Sequence, residues 1–465
     1  MNENIPEIFW DKYQDMLEHD DFMEFQKACL RPLRKSIRVN TLKVSVEKFK
    51  EFAEKEGWDL QPIPWCETGF WIDREDYSIP LGKSYLHLSG YFYIQEASSM
   101  LPPEFLGIEE GQTVLDVAAA PGSKTTQLAA LMKNTGTVVA NEPEIPRIKA
   151  MASNLERLGV ANVLFTNKDG RAFSQYFPNF FDRILLDAPC SGEGTIRKDK
   201  NALEFWNEKR VGVIAKLQMD LAVNAFLALK PGGEMVYSTC TLSPEENEDI
   251  VDGILQLFEG NAEVVPLQIQ GKEIPNDFLP GTLRIWPQLF DSEGFFVAKI
   301  KKTQETEVGK FIDARRSSPF RVLSKGTHKW INNHLQKIFG FELSKKDCFF
   351  ERGNEIWIRP ENFEFVAQKL IVERGGMLFA ERHRDSIKLT HQGALFLIDS
   401  GLLPTKGVVD LDEAETKQFF QGKDLQRTYE EKQFVYLRHN GVFIGIGKAL
   451  GNKIKNQLPR YFTVS

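Results

Sequence analysis

Between about residues 86 and 302 the chain alternates short apolar runs with longer amphipathic ones, and this alternation constrains its fold more than any other feature. Runs at 113–117, 136–141, 162–166, 181–187, 233–238, 262–266 and 294–300 read as strands, and segments 124–132, 147–158, 208–229 and 245–258 read as helices. In the third helix, Ile214, Leu217, Leu221 and Ala225 recur on one face. Regular β–α alternation predicts an α/β fold with a mainly parallel sheet, because each parallel strand needs a crossover to return. Such folds bind ligands beyond the carboxyl ends of their strands, so the residues after each strand carry the functional information.

The flanks read differently. Residues 1–85 suit a small α+β domain, with helical spacing at Ile8, Phe9, Tyr13, Met16 and Leu17 and a strand at 37–42. Residues 86–302 form the alternating domain, 303–388 a charged linker and an intermediate α+β domain, and 389–465 a β-rich module. Residues 348–360 read as two short strands around a turn. A second hairpin is predicted around Asn440-Gly441, since both positions of a two-residue turn need φ > 0. No apolar run approaches the roughly 20 residues of a membrane span, and the start shows no secretory pattern. Five cysteines (Cys29, Cys66, Cys190, Cys240 and Cys348) without paired spacing predict free thiols in a reducing cytoplasm.

The formal net charge of −7 argues at first against a nucleic-acid partner. It is the sum of −15 over residues 1–300 and +8 over residues 301–465. That asymmetry points to a basic module attached to an acidic one. Arg31, Arg34, Lys35, Arg38 and Lys43 add a basic patch near the start. Patch and tail are expected to contact phosphates, and removing residues 303–465 is expected to weaken nucleic-acid binding and its salt dependence while sparing ligand binding at the alternating domain.

The strand ends, taken in order, assemble a candidate site. The first is followed by Ala118, Ala119, Ala120, Pro121, Gly122, Ser123 and Lys124, small residues that let a ligand approach the backbone at a helix start. This is neither a dinucleotide fingerprint nor a phosphate loop. The second ends at Glu142, placed to accept from ribose hydroxyls, and the third is followed by Asp169. The fourth ends in Asp187-Ala188-Pro189-Cys190 before a Gly-rich loop, and the fifth ends at Cys240. If these two strands are neighbours, two thiols converge with Asp187. No His lies between residues 88 and 327, which makes a zinc site a poor reading, and no metal is expected.

The strings DVAAAPGSKTTQLA, NEPEIPR, NKDGRAF, DRILLDAPCSGEGTIRKD and YSTCTLSPEENE resemble, in order, the motifs of the Nop/Sun family of RNA cytosine-5 methyltransferases. The family loop carries Gly-Gly where this chain has Gly122-Ser123. The resemblance implies a Rossmann-like methyltransferase core with S-adenosylmethionine as cofactor, an N-terminal α+β RNA-binding domain and a C-terminal PUA-like RNA-binding extension. It implies a 16S ribosomal RNA or small-subunit substrate for a monomeric cytoplasmic enzyme that needs neither membrane nor metal. By resemblance, Cys240 is the nucleophile, Cys190 assists product release and Asp187 holds the cytosine edge, with Lys124 in the same pocket. Ala118 to Lys124, with Asp187, would line the cofactor, Glu142 would take its ribose, Asp169 its adenine, and Arg147 lies nearby. The residues alone do not tell the two thiols apart. A transfer-RNA substrate, or an RNA-binding assembly protein without catalysis, are the competing readings.

Overall fold

The computed structural model describes residues 5–464 apart from 270–275, 277, 308, 310, 314–319, 341–348, 361, 371 and 385. Cys348 and part of the 303–320 stretch lie outside the described residues. The first predicted helical run is two helices, Glu7–Gln14 and His19–Leu30. Strands β1 (Ser36–Val39), β2 (Trp58–Ile63), β3 (Cys66–Arg74) and β4 (Phe92–Ile94) form an antiparallel sheet in the order β2-β3-β1-β4. β1 stops short of the predicted residue 42 because Asn40 turns the chain. Its side chain donates to the carbonyls of Gly90 and Leu158, both at 2.8 Å.

The alternating region builds the large sheet from β5 (Thr113–Asp116), β6 (Thr137–Asn141), β7 (Val163–Thr166), β8 (Phe181–Asp187), β9 (Leu229–Thr239), β10 (Ala262–Val264), β11 (Leu283–Ile285) and β12 (Phe295–Lys302). Its order is β10-β12-β9-β8-β5-β6-β7, with β11 paired to β12. β5 through β9 are parallel, whereas β12 returns antiparallel against β9. The chain runs outward from β5 to β7 and then restarts at β8 on the other side of β5. That reversal opens a crevice above the carboxyl ends of β5 and β8.

Alternate strand residues feed two cores. Leu115, Leu186 and Tyr237 pack with Leu221, Phe226, Ile250 and Ile254 of helices Glu208–Ala228 and Glu248–Leu257. Val114, Val138, Leu185 and Val236 pack with Leu128, Ile148, Met151 and Leu155 of helices Ser123–Leu131 and Ile145–Arg157. Helix Glu208–Ala228 is long and apolar enough to cross a membrane by length and composition, but it spends its apolar face on this core.

The tail departs from the expectation of a separable module. β13 (Arg321–Val322), β14 (Phe349–Arg352) and β15 (Glu355–Ile358) begin a second antiparallel sheet. The next strand, β16 (Val372–Gly375), leaves that sheet and pairs antiparallel with β7, extending the large sheet. β17 (Met377–Arg382) and β18 (Ile387–Leu389) then complete the second sheet. The last sheet holds β19 (Val408–Asp410), β20 (Phe434–His439), β21 (Val442–Ala449) and β22 (Ile454–Asn456). The turn between β20 and β21 has φ of 48° at Asn440 and 83° at Gly441, as predicted.

Ile37, Val39 and Phe92 of the first sheet share one core with Val435, Leu437 and Ile444 of the last. Lys43 joins them through a buried ion pair with Asp399 at 3.0 Å. Sequence separation concealed this contact between the two ends of the chain. A chain ending at residue 302 therefore exposes half of that core and an edge of the large sheet. Its thermal midpoint is expected to fall by on the order of 10 °C, with reduced solubility, measured by scanning calorimetry and sedimentation.

Candidate active site

β8 and β9 lie side by side with Asp187 opposite Ser238. The two chains therefore leave the sheet together, and the Cys190 and Cys240 sulfurs sit 3.0 Å apart. Both thiols are partly exposed, while Cys29 and Cys66 are buried in cores. Burial pushes the Cys29 and Cys66 thiols up to about 12, which leaves them inert at neutral pH. The Cys190 thiol is also raised, first by its hydrogen bond to Cys240, then by burial and by the charges of Glu246 and Asp187.

The Lys124 ammonium donates to Asp187 Oδ2 at 2.6 Å, and Ser238 Oγ donates to Oδ1 at 2.8 Å. Lys124 is not a solvated helix-start lysine: its side chain is 10% exposed and lies over the Phe295 ring. Burial draws this ammonium down, but Asp187, followed by Cys240 and Asp116, raises it above its ordinary value. A fixed positive charge thus stands beside the thiol pair.

The loop between β5 and the next helix has the conformation its small residues allow. Gly122 has φ of +97°, and a Cβ there would meet Leu155 Cδ1 at 2.8 Å and Met151 Cγ at 2.9 Å. Ser123 opens the helix without disturbing this turn. Asp116, at the end of β5, accepts from Thr125 Oγ1 at 2.7 Å. Glu142 is 1% exposed. Its Oε1 accepts from the Glu144 amide, while its buried Oε2 has no hydrogen-bond partner. Arg147 approaches that oxygen to 3.0 Å as an ion pair and donates to the Ala120 carbonyl at 3.1 Å. Asp169 sits at the tip of β7 but is turned toward Arg171, whose guanidinium it accepts from at 2.6 Å. Asn141 ties the loops together, donating to the carbonyls of Val117 and Lys168.

Several residues escaped the sequence reading. Glu193, in the Gly-rich loop after Cys190, is a buried carboxylate that accepts from Tyr13, Trp206, Ser243 and the Leu242 amide. It binds the N-terminal helix to both thiol-bearing loops. Glu246 accepts from the Ser191 amide and from Gln218, each at 2.9 Å. Gly194 lies so close to the β9 loop that a Cβ would meet the Gly294 and Cys240 carbonyls at 2.2 and 2.7 Å. Glu193 and Gly194 lie in the string SGEGT and Glu246 in SPEENE, beside the two cysteines.

The basic patch is divided. Arg38 is 2% exposed and bonds to Gln95 and Thr126, and Lys43 is buried against Asp399, so neither faces phosphate. Arg31, Arg34 and Lys35 instead line an open cleft of about 540 Å³ with Arg197, Lys198 and Lys200. Among the described residues no group of three His, Cys, Asp or Glu is arranged to hold a metal ion.

Residues 103–301 match the family described as 16S rRNA methyltransferase RsmB/F. Residues 5–97 match the N-terminal domain of 16S rRNA methyltransferase RsmF, and 406–464 the methyltransferase RsmF PUA domain. The ribosomal RNA small subunit methyltransferase F of Vibrio vulnificus is 44% identical over 99% of this chain and 98% of its own. The chain belongs to the RsmB/F family. The protein of the same name from Aeromonas hydrophila is 44% identical over 96% of this chain and 94% of its own. A methyltransferase homolog from Pyrococcus horikoshii is 35% identical, with a TM-score of 0.56, over 64% of this chain and 96% of its own. The crystal structure of NSun6 from Pyrococcus horikoshii with SFG gives 26% identity and a TM-score of 0.59 over 66% of this chain and 100% of its own. Membership fixes the Rossmann-like methyltransferase core, the N-terminal domain and the C-terminal PUA domain as the architecture of this chain.

Burial raises the Asp116 carboxyl from its ordinary value to about 7. A group that holds its proton more tightly when folded contributes stability at low pH and loses it as pH rises. Between about pH 4 and 7 the wild type should lose stability that Asp116→Asn does not. Denaturant titrations at several pH values are expected to give a flatter profile for the variant.

Proposed function

We propose that this chain is an S-adenosylmethionine-dependent RNA cytosine-5 methyltransferase acting on 16S ribosomal RNA through a covalent adduct. The observation that carries it is the pair of partly exposed sulfurs at 3.0 Å beside the Lys124–Asp187 ion pair. Cytosine C5 is a weak nucleophile. A thiolate that adds to C6 forms a C–S bond and leaves C5 electron-rich, able to take a methyl group. Loss of the C5 proton and cleavage of the C–S bond then restore the thiolate.

By the family motifs, Cys240, beside the Lys124 charge, is the nucleophile and Cys190 the thiol that assists release; the two sulfurs share a hydrogen bond in which either can donate. Cys190 is then the proton carrier during product release. Asp187, held by Lys124 and Ser238, presents a fixed polar edge to N3 and N4 of the base and limits its rotation. The base must leave its stack to reach this crevice, which favours an open or single-stranded target.

The residues present fit the cofactor. The buried Glu142 carboxylate, its Oε2 met by the half-exposed Arg147 as an ion pair, suits a ribose hydroxyl, and the 118–123 backbone admits close approach. Asp169 reaches an adenine amine only by releasing Arg171. When bound, S-adenosylmethionine supplies the methyl group. The cleft of Arg31, Arg34, Lys35, Lys198 and Lys200 and the PUA domain are the phosphate contacts this reading needs. The relatives' names support 16S RNA over transfer RNA, and the intact thiol pair weighs against a protein without catalysis. Free thiols suit the cytoplasm, and we take the enzyme to act as a monomer.

Cys240→Ser is expected to abolish methyl transfer to 16S RNA. Cys190→Ala should accumulate a protein–RNA adduct stable on denaturing gels. Bisulfite mapping of RNA from a deletion strain should show lost methylcytosine in 16S RNA with transfer RNA unchanged. The reverse pattern rejects the ribosomal substrate, and full activity of Cys240→Ser rejects the nucleophile.

A further inference from the structure

A cavity of about 730 Å³ lies where the tail meets the large sheet, among β15, β16, the Ile145–Arg157 helix, the His391–Asp399 helix and the chain end. None of its lining residues belongs to the thiol cluster or the cofactor loop. Its volume is in the range of small-molecule sites, roughly 300–1,000 Å³.

The lining carries an unpaired cation. Arg359 is 3% exposed, and all three of its guanidinium nitrogens lack a hydrogen-bond partner. The group lies between the Phe320 and Phe363 rings, its Cζ 3.0 and 3.5 Å from their centroids. Ring faces compensate a cation only in part, and a buried charge without a counter-ion is costly. Burial accordingly pulls this guanidinium down to about 9. Arg374 Nε and His391 Nδ1 line the same cavity and are likewise buried without partners.

The carboxylates of the lining are engaged elsewhere. Glu156 pairs with Arg374 Nη2 and accepts from Tyr461, and Glu355 pairs with Arg352 at 2.7 Å. Lys388 faces Glu381. Glu364 acts on the Arg359 charge without hydrogen-bonding to it, so the three unmet guanidinium donors suit an acceptor-rich anion. Trp357, Leu370 and Leu389 supply apolar wall beside these donors. A compact anion joined to a flat, partly apolar ring has both properties.

We propose that this cavity binds a nucleoside phosphate, separately from the methyltransferase centre, with the phosphate against Arg359 and the base along Trp357. The nucleotide is either free or part of an RNA strand whose base has left its stack; the recognition chemistry is the same. The inference does not depend on the identity of the methylated base.

Calorimetric titration of the full chain with cytidine 5′-monophosphate, and separately with a short single-stranded ribo-oligonucleotide, tests it. Arg359→Met keeps the length of the side chain and removes its charge. Its affinity for the bound probe should fall by about tenfold or more, as expected when a charged hydrogen-bond donor is lost, while S-adenosylmethionine affinity is unchanged. Without probe, the variant should melt no lower than the wild type, because an unpartnered buried cation is gone. If it fails to fold, half-exposed Arg352→Gln replaces it, with a smaller loss of the same kind. Binding of the mononucleotide assigns a free ligand, and binding of the oligonucleotide alone assigns an RNA strand. No binding of either probe, or equal affinity in the variants, overturns the proposal.

Discussion

Asp187 and Ser238 are register partners on adjacent parallel strands, and the active centre inherits its geometry from that pairing. Cys190 and Cys240 lie fifty positions apart in the chain, yet Cys190 follows its strand by three residues and Cys240 by one. Parallel strands in register end at the same level, so the loops that follow must share one space. The sulfur contact is a consequence of the hydrogen-bond ladder below it. Lys124 arrives from a third strand end, β5, and its ion pair with Asp187 locks that loop to the same point. Such a pair is weak evidence for stability, because desolvating both charges offsets much of their attraction. Its value is positional: it holds a charge and a carboxylate edge where a base is to be seated.

A second layer of buried charge holds the loops. Glu193 gathers Tyr13, Trp206, Ser243 and Leu242 around one carboxylate. Arg197 donates to the Pro32 and Ser292 carbonyls and pairs with Asp291, joining the N-terminal domain to the strand-closing segment. Arg38 reaches from β1 to Thr126 in the helix that follows the cofactor loop. These contacts make the N-terminal domain part of the wall of the active centre. The charge asymmetry between the two parts of the chain thus has two components. Some basic residues line the open cleft, while others, such as Lys43, are used inside the protein as ties between domains.

The fold of residues 113–302 was legible because periodicity and turn chemistry are local. Apolar runs bounded by Gly, Asn and Asp set the strands, and the Asn440-Gly441 hairpin followed from the φ values that only such residues accept readily. What was not legible depends on contacts distant in sequence. A four-residue strand such as β16 carries no pattern to say which sheet it joins, and it joined β7. Arg38 and Lys43 read as surface charge because a sequence does not state burial. The burial of Glu193 in the Gly-rich loop after Cys190 was hidden for the same reason.

The sequence by itself determined the class of fold and the chemistry-bearing residues at its strand ends, since both follow from the order of residue types along one strand and its loop. It left the thiols equivalent. Only the tertiary structure brought the two sulfurs to 3.0 Å beside the Lys124–Asp187 pair, because strand pairing between distant segments sets that distance. Only the tertiary structure joined the two ends of the chain in one core and buried the Arg359 guanidinium with its donors unmet by the protein, since these depend on surfaces that meet after folding.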